Sequence, residues 1–117
     1  MLAETQKPLV DEAAEWIGHL RTYIEDINEL KNKLYKWAAN KSDRDALVQI
    51  ERYHNQFHIQ LINLHDLKHS IKLYINECKL YPDADLSAKQ QDLEEQYNFL
   101  INDLNHLQNN FTAFSNN

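Results

Sequence analysis

Residues 13–37 read AAEWIGHLRTYIEDINELKNKLYKW, and apolar side chains recur in them at alternating steps of three and four: Ala13, Trp16, Leu20, Tyr23, Ile27, Leu30, Leu34, Trp37. Steps of three and four put every one of these residues on a single stripe of an α-helix. The pattern returns twice. A second series runs Leu47, Ile50, His54, Phe57, Leu61, Leu64, Lys68, Ile71, Ile75, Cys78, and a third runs Leu86, Gln90, Leu93, Tyr97, Leu100, Leu104, Leu107, Phe111, Phe114. Stripes sustained over about four heptads mean long helices packed side by side. The predicted fold is therefore all-α: an antiparallel, up-down-up three-helix bundle with coiled-coil-like heptad packing. Its helices are expected over about 9–39, 43–80 and 85–114, within one domain covering residues 1–117.

The breaks between stripes fit this reading. Pro8 suits a first helical turn, where its missing N–H would be unpaired anyway. Ser42, with Asp45 three residues on, resembles a capping box. Pro82 ends the second helix, because proline disfavours helical geometry in the residue before it, and Asp83 or Asp85 is placed to cap the third. Short connections force neighbouring helices to run antiparallel.

Composition narrows the function classes. A net charge of −6 opposes a nucleic-acid partner, since binding the phosphate backbone needs a basic footprint. Residues 83–117 hold six acids against the single Lys89, so the third helix is expected to show an acidic outer face. No apolar run approaches the length of a membrane span, and the first residues do not read as a secretory leader. One cysteine, Cys78, excludes an intramolecular disulfide and is consistent with a reducing compartment. The expectation is a cytoplasmic protein with no nucleic-acid or membrane partner. Gly18 is the only glycine, so there is no glycine-rich phosphate loop. No nucleophile–base pairing stands out, and neither an enzyme nor a cofactor is expected.

Three groups of residues on the second helix could carry function. Val48, Ile59, Ile62 and Leu73 form a second apolar line, opposite the core stripe. The outer helix face of a three-helix monomer should be polar, so this line points to a partner: a fold-back end of the chain, a second copy, or another helical protein. The leading expectation is a non-catalytic interaction or assembly module that self-associates through these four residues.

His54, His58, His65 and His69 form a ladder with two H-x-x-x-H pairs, the spacing at which adjacent helical turns present two imidazoles to one metal ion. Glu51 lies on the same face. A metal centre would need a third ligand from another helix, and His19 and His106 stand alone there.

The segment His65-Asp66-Leu67-Lys68-His69-Ser70 resembles the phosphoacceptor motif of histidine phosphotransfer domains, roughly His-x-x-Lys-Gly-Ser/Ala. It is also similar to the His-Asp-Leu-Lys start of some histidine-kinase dimerisation helices. The resemblance implies a phosphorelay function for a helical bundle, with His65 as phosphoacceptor and Lys68 offsetting the phosphoryl charge. It departs at His69, where the family has the glycine that leaves room for a response regulator.

Overall fold

The structure, a computed structural model, describes residues 7–116. Three helices account for nearly all of them: α1 (Lys7–Ala38), α2 (Arg44–Leu80) and α3 (Ser87–Ser115). They pack as a three-helix bundle, and the predicted helix limits agree with the observed ones to within about two residues. Cross-helix contacts fix the directions. Tyr35 on α1 meets His54 on α2, Gln60 on α2 meets Asp103 on α3, and Glu77 near the end of α2 meets Lys89 near the start of α3. The chain therefore runs up, down and up. It measures 60 × 19 × 18 Å, with a radius of gyration of 18.2 Å, against about 13 Å for a compact globule of this length. In a rod this thin, each helix has one inward side and a long outer face.

Core formation follows the heptads. Phe57, Leu64, Ile71 and Cys78, spaced by seven, are each 0% exposed on α2. Ala13, Leu20, Ile27 and Leu34 form the matching line on α1, also at 0%. On α3 the buried residues Leu93, Leu100, Leu104, Leu107 and Phe111 all belong to the predicted series. Near the first connection an aromatic group closes the bundle. Phe57 and Phe111 meet edge-on at 5.2 Å between ring centres, and Tyr53, Trp37 and Phe114 pack around them.

The second stripe of α2 differs from its prediction. His54, Leu61, Lys68 and Ile75 were placed in the core, but they are half-buried shoulder residues, and Leu47 is 50% exposed. The true second line is Gln60, Leu67 and Tyr74, all buried. The reason is geometric. α2 packs against both α1 and α3, so its buried side must face two neighbours, and α3 covers the shoulder that carries Gln60 rather than the one that carries Leu61. Gln60 is the only buried polar residue among those described. Its Nε2 donates to Asp103 at 3.0 Å, and its Oε1 accepts from Asn63 at 3.1 Å, so its amide is satisfied.

Caps differ from expectation by one or two residues. Asp43, not Ser42, caps α2, its carboxylate accepting the Ala46 N–H at 3.2 Å. Before α3, the Asp85 carboxylate accepts from the Ser87 N–H and the Ser87 hydroxyl, and these bonds hold its pKa below the usual carboxylate range. Their stabilisation is present at neutral pH and is lost as pH falls through that lowered value.

Tyr74 is 3% exposed, and its hydroxyl lies near Cys78 and Glu12 without a hydrogen-bond partner. Burial raises its pKa, and Cys78 and Glu12 push it further up. Tyr74→Phe should therefore be neutral or stabilising by about 1 kcal/mol, because an unpartnered buried hydroxyl is removed. The parent should also lose stability as pH rises past the ordinary phenol value near 10, where the unfolded chain ionises first. The phenylalanine variant should lose less, and thermal melts of both proteins between pH 8 and about 11 check this.

Candidate functional site

The strict seven-residue repeat of Phe57, Leu64, Ile71 and Cys78 keeps one side of α2 inward along the bundle, so the opposite side stays outward over the same length. Val48, Ile59, Ile62 and Leu73 all lie on that outer side, at 54, 55, 47 and 55% exposure. Leu80, 72% exposed, extends the line of Ile59 and Leu73 by one more heptad. Neither α1 nor α3 buries these side chains, although Ile59 and Leu73 border grooves shared with α3. The second apolar line foreseen on α2 is therefore present as an open face, which also carries Arg52, Asn55, Asp66 and His69, all exposed. Single exposed apolar residues need no explanation; here five lie along one outer side of one helix, with Arg52, Asn55, Asp66 and His69 between them.

The histidines occupy the adjoining surface. His58, His65 and His69 are exposed. His54 is half-buried against α1, with Nδ1 3.1 Å from the Tyr35 hydroxyl and the two rings 6.0 Å apart. Among the described residues, no three of His, Cys, Asp and Glu are placed to hold one metal ion. Within one chain, His54, His58, His65 and His69 thus gain no third ligand among the described residues. The physical reason is orientation: a third ligand must come from α1 or α3, and the ladder faces away from α3 while α1 meets only its His54 end. His19 is instead bonded to the Tyr97 hydroxyl at 2.7 Å. His106 borders the opposite side of α2, next to Ile59 and Gln60. His65 is exposed, as a phosphoacceptor must be, and Lys68 is half-buried one turn along. His69 stands exposed at the position where the phosphotransfer motif has glycine.

A shallow groove of about 570 Å³ runs between α2 and α3. Leu67 and Leu100 form its floor, Phe99 stands 73% exposed on its edge, and Asp66, Asp92, Glu95 and Asp103 line its walls. Three of the acids counted towards an acidic face of the third helix, Asp92, Glu95 and Asp103, thus line this groove. At the groove's far end Lys89 pairs with Glu77 at 2.6 Å, an exposed contact that adds little stability. Phe99 was missed in the sequence because it interrupts no stripe, although an aromatic residue off the core line of an otherwise regular heptad series was the signal available.

Cys78 is buried on the core line beside Tyr74. Burial also raises the Tyr97 pKa, with a smaller contribution from Tyr23; its ring stacks on Trp16 at 5.5 Å, in keeping with a packing role. No described helix is long and apolar enough to cross a membrane. Compared with protein families, curated proteins and solved structures, the chain matches none of them.

Proposed function

We propose that this chain is a non-catalytic helical assembly module that associates with further copies of itself through the outer face of α2. The observation that carries this reading is the uncovered line of Val48, Ile59, Ile62 and Leu73, each about half exposed on the side of α2 turned away from its own bundle. Apolar area removed from water stabilises a contact by roughly 25 cal/mol per Å² before the cost of association is subtracted. Burying this line against another helix is thus the clearest gain left to the folded chain. The exposed charges on either side, Glu51 and Lys72 among them, suit a polar rim around an apolar strip.

Tagged and untagged copies of the chain, produced together, should co-purify through the tag at micromolar concentration. Recovery of the tagged copy alone would count against self-association.

A further inference from the structure

Four of the five exposed apolar residues on the outer side of α2 are arranged symmetrically. Val48 and Leu73 lie equally far on either side of the peptide joining Gln60 and Leu61, and so do Ile59 and Ile62. We infer that two copies pair α2 against α2 in antiparallel orientation, about a two-fold axis passing beside that peptide. The inference rests on the self-association reading above and specifies its partner, direction and register.

In this register Val48 packs on the partner's Leu73, and Ile59 on the partner's Ile62. The two-fold axis repeats both contacts, giving four apolar layers that match all four residues; Leu80 falls opposite Lys41, beyond the partner's α2, and stays outside the interface. Sliding either helix by one heptad leaves the Ile59–Ile62 contact and the Val48–Leu73 contact both broken. The polar residues between the layers are compatible with the same pairing: Arg52 falls opposite the partner's His69 and within a turn of the partner's Asp66, while Asn55 falls opposite Asp66 itself. On the flank, Glu51 faces the partner's Lys72, an opposite-charge pair that occurs twice per dimer.

The one competing arrangement that also matches all four residues is a parallel, in-register pair, which sets Leu80 on Leu80 as well. It sets Arg52 against Arg52 and Asp66 against Asp66 in the middle of the interface, and like charges placed face to face disfavour a complex. It also leaves Glu51 opposite the uncharged Gln56, and it asks Lys72 to compete for Glu77, which Lys89 already holds at 2.6 Å. Charge thus selects the antiparallel form. The same patch on both copies makes an isologous, closed dimer with no surface left to propagate a filament. Four half-exposed side chains per copy make a small interface, so the dimer exchanges readily with monomer.

Charge reversal tests the register. Sedimentation equilibrium on the full chain would compare the parent with Glu51→Lys, Lys72→Glu and the double reversal, with circular dichroism as the folding control; both positions are exposed, so the bundle stays intact. Each single reversal should raise the dissociation constant about tenfold, and the double reversal should restore the parent value to within about twofold, since each lost pair is remade in the opposite sense. Loss on Lys72→Glu alone, with Glu51→Lys silent and no recovery in the double variant, is the parallel pattern and overturns the register. So does dimerisation indifferent to all three variants. A parent that is monomeric throughout overturns the register and the self-association reading together.

Discussion

Phe57→Ala is expected to cost about 3–5 kcal/mol of stability, the largest single loss of any substitution considered. Phe57 is 0% exposed, and its ring meets Phe111 edge-on at 5.2 Å and Tyr53 at 6.1 Å. Truncation empties the middle of the aromatic group that joins α2 to α3, and the surrounding rings can close that space only in part. On a domain whose whole stability is of order 5–15 kcal/mol, the melting temperature should fall by roughly 10 °C or more. The comparison that gives this meaning is Leu61→Ala, one turn further along α2. Leu61 lies on the core stripe in the sequence reading but is only half-buried in the structure. Its truncation should cost about 1 kcal/mol. Equal losses at the two positions would show that the inward line of α2 has been placed wrongly.

Ile62→Glu has the largest expected effect on association. Ile62 is 47% exposed and points away from Leu64 and Phe57, so the variant should keep the helix content and, within about 0.5 kcal/mol, the stability of the isolated bundle. In a two-fold dimer the substitution is made twice and sets a carboxylate against the partner's Ile59 on both sides of the axis. A buried polar group left without a partner costs about 2 kcal/mol per copy. The dissociation constant should then rise roughly a thousandfold. A variant that associates as well as the parent would remove this face from the account, whatever else holds the copies together.

Much of this was legible in the sequence, and what was not has identifiable causes. Periodicity alone gave three helices, their limits, the core lines of α1 and α3, and the four outward residues of α2, because a helix converts spacing directly into direction. It misplaced the shoulder of α2 that α3 covers. Spacing shows where a stripe lies, but not on which side a second neighbour packs, and Gln60 hid the true line by being polar. Only the structure shows that its amide is answered by Asp103 and Asn63. The caps slipped by a residue because Ser42, Asp43 and Asp45 are all competent acceptors, and chain direction decides among them. Spacing sets the four histidines on neighbouring turns of α2, but whether another helix faces them is a tertiary fact, and no described third ligand does.

The measurement that bears most directly on the central claim is the solution mass of the unmodified chain by light scattering, followed from low to high micromolar concentration. The account predicts a mass that climbs with concentration from the 13.9 kDa of one chain towards twice that value and goes no further, as a closed two-fold dimer requires. A mass fixed at 13.9 kDa across the whole range would contradict it.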